Sequence, residues 1–196
     1  MIEQLLSPNQ YSRPRIPMGH VYALIMHWTG VPGQPAQVVR DFFESRKDGK
    51  AGFGSAHYIV GLDGVVIRCI PETEVAYHVG SSQPDPASGR IYTDWARGKF
   101  GEAVCDPATI GPNICTIGVE MCVIDAAGNF TEQTKESSVD LASDICSRLR
   151  LNPFSDIGTH HGVVGWKPCP LLWVNQPALL EEFRANVANA IARGNA

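Results

Sequence analysis

The segment of residues 55–70, SAHYIVGLDGVVIRCI, constrains the fold more than any other part of the chain. Two apolar runs lie on either side of Asp63-Gly64, a dipeptide typical of the tight turn in a β-hairpin. A hairpin joins two antiparallel strands, so this segment argues against a strictly alternating, all-parallel sheet.

Other periodic segments supply partners for the hairpin. YALIMHWTG is predicted to be a buried strand that ends at His27, and TIGVEMCVI a second strand with Glu120 among apolar residues. Three segments have the caps and apolar spacing of helices. They are QPAQVVRDFFESRK, TEQTKESSVDLASDICSRLR and QPALLEEFRANVANAIAR. This mixture predicts an α/β class (α+β-like), with a central mixed β-sheet flanked by helices.

The bulk properties predict one compact domain over residues 1–196. Its core spans about 20–175, with an N-terminal extension (1–19) and a C-terminal helix (177–193). The chain is 44% apolar, which is enough for a full core. Its net charge of −4 and lack of a basic cluster argue against nucleic acid as a partner. No secretory signal and no apolar stretch of membrane-spanning length is recognisable, so we expect cytoplasmic synthesis without membrane insertion.

Two features of the middle of the chain leave alternatives open. Residues 79–115 are rich in Gly, Pro, Ser and Asp and carry Tyr92, Trp95 and Phe100, so we expect a long loop there. The six cysteines contain no CxxC pair, which favours free thiols, several of them buried. Cys105 and Cys115 could pair in an oxidising compartment, and the sequence does not decide this.

The segment THHGVVGWKPCP (159–170) concentrates residues that bind metals. Its glycines and prolines predict a shaped loop without a helix or a long strand. His160 or His161, together with Cys169, places two zinc-type ligands close in space, and His27 would supply a third. Three ligands leave one position open, as catalytic zinc requires. The alternative is a solvent loop with a buried thiol.

Two charged residues would complete a hydrolytic site. A carboxylate inside a buried strand is costly unless it is paired, so Glu120 would face the metal and act as a general base. The alternative is that Glu120 lies on the polar face of its strand and points to solvent. Lys167, two residues before Cys169, would stabilise an oxyanion at the metal if the metal site exists.

Taken in order, four segments resemble one known family over roughly residues 20–175. They are IMHWTG, SAHYIVGLDGVVIRCIPETEVAYHVG, TIGVEMC and GTHHGVVGWKPCP. The set is similar to the zinc-dependent N-acetylmuramoyl-L-alanine amidases of the phage-lysozyme and peptidoglycan-recognition type. The resemblance implies Zn²⁺ bound by His27, His160 and Cys169, with Glu120 as base and Lys167 as the cation. It also implies that His78 lines the substrate groove.

The second ligand of this set could be either of two adjacent histidines, His160 or His161. Thr159 and Val163 match the family pattern around the ligand and favour His160, whereas the spacing to the lysine in short family members favours His161. Ala56 stands where some members have a tyrosine, which favours the members that use a glutamate.

The resemblance implies hydrolysis of the amide between N-acetylmuramic acid and L-alanine in bacterial peptidoglycan. The partner would be peptidoglycan or a muropeptide, and the protein would be a released endolysin or a recycling enzyme. The long loop with its aromatic residues would form a wall of the groove. The alternatives are a recognition module of the same fold without catalysis, and a structural zinc domain whose fourth ligand is His161 or His57.

Overall fold

In the computed structural model, which describes residues 1–194, six strands form one mixed sheet in the order β1-β4-β3-β5-β2-β6. The strands are β1 (Ile2–Glu3), β2 (Ala23–Trp28), β3 (Tyr58–Val60), β4 (Val66–Arg68), β5 (Thr116–Met121) and β6 (Ile157–Thr159). β3 and β4 pair antiparallel, and the other neighbours in the sheet pair parallel. The expected mixed α/β architecture is confirmed.

Seven helices accompany the sheet among the described residues. They are α1 (Ala36–Ser45), α2 (Asp94–Phe100), α3 (Glu132–Leu149), α4 (Pro153–Asp156), α5 (His160–Val164), α6 (Leu171–Asn175) and α7 (Ala178–Gly194), with 3₁₀ turns at Arg46–Asp48 and Gly111–Cys115. The three helices expected from periodicity are α1, α3 and α7. Pro35 and Thr131 are the N-cap residues of α1 and α3, so the sequence located both starts correctly.

The expected hairpin joins β3 and β4. Gly64 has φ of 78°, a left-handed conformation that glycine adopts without steric cost. The Asp63 side chain accepts a hydrogen bond from the Val65 amide at 3.1 Å, which stabilises the turn. The Asp63-Gly64 dipeptide therefore makes the turn that its sequence predicts.

The two faces of the sheet serve different purposes, because side chains alternate along each strand. One face packs against α3 and α7 with the residues Leu24, Met26, Ile117, Val119 and Met121. The other face carries the intervening residues of the same strands, which include His27 on β2 and Thr116, Gly118 and Glu120 on β5. The polar residues of interest thus lie on the face opposite α3 and α7.

Residues 79–115 are more regular than the sequence suggested, and the expectation of a continuous loop was wrong. α2 begins after Thr93, whose Oγ1 accepts a hydrogen bond from the Ala96 amide at 3.2 Å. Tyr92, Ala96 and Phe100 follow one another at four-residue spacing and are all buried. Burial of this apolar stripe stabilises the short helix, although the segment around it is rich in Gly and Pro.

The prediction that residues 159–170 contain no helix was also wrong. β6 ends at Thr159, and α5 begins at His160. The Thr159 hydroxyl accepts a hydrogen bond from the Gly162 amide at 2.9 Å, and Gly165, with φ of 80°, ends the helix. A good N-cap and a glycine stop are sufficient for one helical turn.

The six cysteines are buried and free, as expected. This includes Cys105 and Cys115, which lie in the same apolar cluster. No helix within the described part of the chain has the length and apolar character needed to cross a lipid bilayer.

Candidate active site

Three potential metal ligands converge at one edge of the sheet. His27 lies near the carboxyl end of β2, His160 is the first residue of α5, and Cys169 precedes α6. The Nδ1 atoms of His27 and His160 are 3.2 Å apart, and the Cys169 Sγ is 3.7 Å from His27 Nδ1. All three residues are buried. The structure thus brings together the three residues that the sequence selected, and their role as ligands stays a prediction.

The spacing of these three donors suits a zinc ion. Tetrahedral zinc with bonds of about 2.05 Å to nitrogen and 2.3 Å to sulfur places two nitrogens about 3.3 Å apart and nitrogen about 3.6 Å from sulfur. The distances in the protein agree with both values. His161 lies outside this set, since its Nδ1 is 3.2 Å from the Lys167 carbonyl oxygen. The geometry therefore favours His160 over His161.

The surroundings keep both histidines neutral. Burial, followed by the neighbouring His160, lowers the pKa of His27 well below its ordinary value. Burial and the charge of Lys167 lower the pKa of His160 to about 3. A neutral imidazole keeps a lone pair for a metal. Burial raises the pKa of the Cys169 thiol to about 12, so a divalent cation bound here would displace its proton.

Glu120 lies beside this cluster because of the strand register. It is the Cα partner of His27 across the parallel pair β2–β5, so both side chains point to the same face of the sheet. Its Oε2 atom is buried and has no hydrogen-bond partner among the described residues. Burial raises the pKa of Glu120 to about 8, and the charge of Lys167 opposes that shift. An orphaned buried carboxyl oxygen indicates a site built for a further group.

The His27 ring contacts His78 on the side that faces away from His160 and Cys169. The Nε2 of His27 is 3.0 Å from the Nδ1 of His78. The Nε2 of His78 in turn lies 3.3 Å from the Thr116 carbonyl oxygen and 3.1 Å from its Oγ1. His78 is 8% exposed and borders the cleft, and its predicted contact with substrate stays a prediction.

Three residues around His78 were not singled out from the sequence. Thr116 contacts its ring, Asn113 accepts a hydrogen bond from its backbone amide at 2.9 Å, and Gly118 leaves space for the ring. A Cβ at Gly118 would lie 2.5 Å from the His78 ring. The alternation of Thr116, Gly118 and Glu120 along β5 was the available signal, because it places all three on the face of His27.

An open cleft of about 580 Å³ leads to these residues. Glu120, His160 and the exposed Lys167 line it, as do the aromatic side chains of Phe53 and Tyr77, whose ring centroids are 5.3 Å apart. The predicted aromatic wall from 79–115 is correct only for Tyr92, which lines the cleft. Trp95 and Phe100 instead pack edge-to-face in the apolar cluster beside the sheet, with centroids 5.6 Å apart.

His57 is not available as a fourth ligand. Its Nδ1 accepts a hydrogen bond from the Gly118 amide at 3.0 Å, and its Nε2 lies 3.0 Å from the Glu74 carbonyl oxygen. Burial lowers its pKa to about 4, although the Glu74 carbonyl opposes that shift. Within residues 1–194, the potential metal-binding group therefore consists of His27, His160 and Cys169.

A family model and the curated relatives of this chain all indicate the same protein family. The family model described as N-acetylmuramoyl-L-alanine amidase matches residues 17–171. A probable N-acetylmuramoyl-L-alanine amidase of Bacillus licheniformis is 30% identical over 193 residues, which cover 98% of this chain and 48% of the relative. The N-acetylmuramoyl-L-alanine amidase BlyA of Bacillus subtilis (strain 168) is 31% identical over 179 residues, which cover 91% of this chain and 44% of BlyA. The chain thus spans about half the length of these curated relatives.

Solved structures share the fold at low sequence identity. PlyL superposes with a TM-score of 0.67 and 19% identity, covering 95% of this chain and 96% of PlyL. The catalytic domain of PlyG superposes with a TM-score of 0.69 and 18% identity, covering 97% and 94%. At this identity the likeness concerns the arrangement of strands and helices.

Proposed function

Because this chain belongs to the N-acetylmuramoyl-L-alanine amidase family, we propose that it hydrolyses the amide bond between N-acetylmuramic acid and L-alanine in bacterial peptidoglycan, with Zn²⁺ as cofactor. One observation carries the proposal. Three buried donors stand at zinc-like distances, next to an unpartnered carboxyl group at an open cleft.

The donor set favours a catalytic metal over a structural one. His27, His160 and Cys169 would hold zinc, and neither His57 nor His161 is placed to complete a closed four-ligand site. Structural zinc sites use four protein ligands, whereas catalytic sites keep one position open. When bound, zinc supplies a Lewis acid for the scissile carbonyl and lowers the pKa of water towards neutrality.

Glu120 would move the proton during hydrolysis. Its Oε2 accepts a proton from the attacking water as the oxygen bonds to the carbonyl carbon. The same carboxyl then gives that proton to the amide nitrogen as the carbon–nitrogen bond breaks. The products are the carboxylate of the lactyl group and the free amino terminus of L-alanine. Burial raises the pKa of Glu120 to about 8 in the metal-free protein, and a bound divalent cation together with Lys167 would favour its ionised, proton-accepting form.

Lys167 would stabilise the negative charge that develops on the carbonyl oxygen. Its side chain lines the cleft with Glu120 and His160, and its charge acts on both of them. A fixed cation close to a forming oxyanion lowers the barrier, because the attraction is greater in the transition state than in the substrate.

The test compares the Glu120→Gln variant with wild type and with Glu136→Gln, an exposed glutamate on α3. We expect Glu120→Gln to keep its zinc and to release free L-alanine amino groups from peptidoglycan about 10²–10⁴-fold more slowly. Glu136→Gln should match wild type in both measurements. A wild-type protein that binds one zinc ion and releases no amino groups would instead be a recognition module.

The open cleft favours the polymer as substrate over small soluble fragments. It extends beyond the candidate ligands to Phe53 and Tyr77, so it offers contacts away from the scissile bond. Rates on whole sacculi and on an isolated muropeptide test this, and a preference for the muropeptide would contradict it. Release from the cytoplasm as an endolysin stays a prediction from the sequence.

A further inference from the structure

We propose that His78 is a positioning residue, which accepts a hydrogen bond from His27 Nε2–H and so fixes the tautomer of His27 that presents its Nδ1 lone pair to the metal position. The proposal rests on the proposed zinc site, and it follows from hydrogen-bond directions that the protein imposes.

Thr116 determines where the proton of His78 lies. Its carbonyl oxygen can only accept, and its hydroxyl donates to the Pro112 carbonyl oxygen at 2.7 Å, which leaves the hydroxyl lone pairs to accept. The Nε2 of His78 faces both oxygens, at 3.3 and 3.1 Å. Two acceptors at one ring nitrogen require a donor, so the proton of His78 is on Nε2.

The tautomer of His27 follows from that of His78. A neutral imidazole carries a single N–H, so the Nδ1 of His78 has a lone pair and can only accept. Its partner at 3.0 Å is the Nε2 of His27, which must therefore donate. The Nδ1 of His27 is then free of a proton, and it is the atom that faces the His160 Nδ1 and the Cys169 Sγ.

The His78 ring is itself held in place. The Asn113 side chain accepts from the His78 backbone amide at 2.9 Å, and the ring packs closely over Gly118. Since both ring nitrogens have partners inside the protein, neither is free to bind a substrate. Metal-bound histidines usually donate their second nitrogen to an oxygen acceptor, and here a histidine nitrogen takes that place.

The first experiment determines tautomers directly by long-range ¹H–¹⁵N NMR of the imidazole rings, with the full chain in metal-free and zinc-loaded forms. His78 and His27 should both carry their proton on Nε2 in the metal-free form, and the Nδ1 of His27 should show metal coordination after loading. A proton on Nδ1 of either residue in the metal-free form would overturn the proposal. This measurement is informative whether or not the protein has amidase activity.

The second experiment measures zinc affinity by competition with a chelator. His78→Ala should weaken zinc binding about 10–100-fold, which is the usual cost of losing a partner of a metal ligand. His78→Asn should stay close to wild type, because Oδ1 occupies the place of Nδ1 and accepts from His27. His161→Ala serves as a control for loss of a histidine near the site.

The outcomes separate this proposal from the proposed function. If wild type binds zinc and cleaves peptidoglycan while His78→Ala binds zinc equally well, the positioning role is wrong and the amidase activity stands. A purely substrate-binding His78 would raise KM at constant zinc affinity, which also overturns the proposal. If wild type binds no zinc, the proposed function fails, and the tautomers of the metal-free form still decide the role of His78. They also decide it if His78→Ala does not fold.

Discussion

At the scale of single residues, the adjacent histidines 160 and 161 provide a sharp test of the metal site. His160 is buried with its Nδ1 3.2 Å from His27 Nδ1, whereas His161 contacts the Lys167 carbonyl oxygen. We expect His160→Ala to lose zinc on dialysis and His161→Ala to keep it, as measured by metal content of the purified variants. Equal loss in both variants would contradict the assignment of His160.

A substitution at Gly118 tests whether the His78 ring supports the candidate metal site. Because its Cβ would lie 2.5 Å from the His78 ring, Gly118→Ala should displace the ring. We expect weaker zinc binding by about tenfold and a free energy of unfolding lower by about 1–3 kcal/mol. Zinc competition and urea denaturation measure the two effects.

The matched control is Gly98→Ala, an exposed position in α2 where a Cβ would meet nothing within 4 Å. It should leave zinc affinity unchanged and raise the free energy of unfolding by about 0.5–1 kcal/mol, because alanine favours the helix. If Gly118→Ala behaves like this control, His78 is not held by β5.

The sequence singled out the candidate metal ligands more readily than the residues packed around them. His27, His160 and Cys169 stand out by residue type and spacing, and the structure brings them together. Thr116 and Asn113 are ordinary polar residues whose importance depends on the position of His78, which is far from them in sequence. The alternation along β5 places Thr116 on the face of His27, but no local pattern places Asn113 beside His78.

At the scale of elements, the start of α3 connects the helix to the hairpin. The Thr131 hydroxyl accepts from the Thr134 amide at 2.9 Å and donates to the Leu62 carbonyl oxygen at 2.7 Å. We expect Thr131→Ala to lower the free energy of unfolding by about 1–2 kcal/mol, since it removes the cap and the link together. Urea denaturation of the full chain checks this. Thr131→Ser, which keeps the hydroxyl, should lie near wild type, and a loss as large as that of Thr131→Ala would argue against the hydrogen bonds.

Helices and strands with long periodic apolar patterns were predictable from the sequence. Short helices that depend on contacts with other elements were not. β2, β5, α1, α3 and α7 have apolar spacing that is visible in sequence. The sequence missed four helices, α2, α4, α5 and α6, and two of these, α2 and α5, contact each other. Thr93 donates from its hydroxyl to the Gly162 carbonyl oxygen at 2.6 Å and from its amide to the Val163 carbonyl oxygen at 2.9 Å. Such helices depend on tertiary contacts, which local propensity does not report.

At the scale of the whole molecule, residues 1–19 are attached to the rest of the chain through the buried Leu6 side chain and through several polar contacts. β1 pairs with β4, and the Arg13 side chain makes two hydrogen bonds of 2.8 Å to Glu74. Glu44 on α1 accepts from the Ser7 amide at 3.0 Å. Because several of these contacts need ionised carboxylates, the attachment should weaken in acid.

Glu44 is one of the carboxylates that contribute to this acid sensitivity. Burial opposes its ionisation, but hydrogen bonds from Ser7 and Lys47 and the charge of Arg40 lower its pKa to about 2. A carboxyl whose pKa is lower in the folded state stabilises above its unfolded pKa of about 4.3, and this stability is lost as pH falls towards 2.

From pH 5 to pH 3, wild type should therefore lose about 1–2 kcal/mol more free energy of unfolding than Glu44→Gln. Urea denaturation at the two pH values measures the difference. Glu136→Gln, an exposed control, should follow wild type. Identical pH dependence of wild type and Glu44→Gln would show that Glu44 has no part in the acid sensitivity.

The register between β2 and β5 has a consequence for how such a protein can diversify. His27 and Glu120 are paired across two neighbouring strands, so the separation between a candidate ligand and the candidate base is set by the spacing of backbone strands, about 4.8 Å. The segments that connect the strands do not set that separation. They can vary in length at their exposed parts, while the spacing between the candidate ligand and the candidate base is inherited unchanged with the sheet.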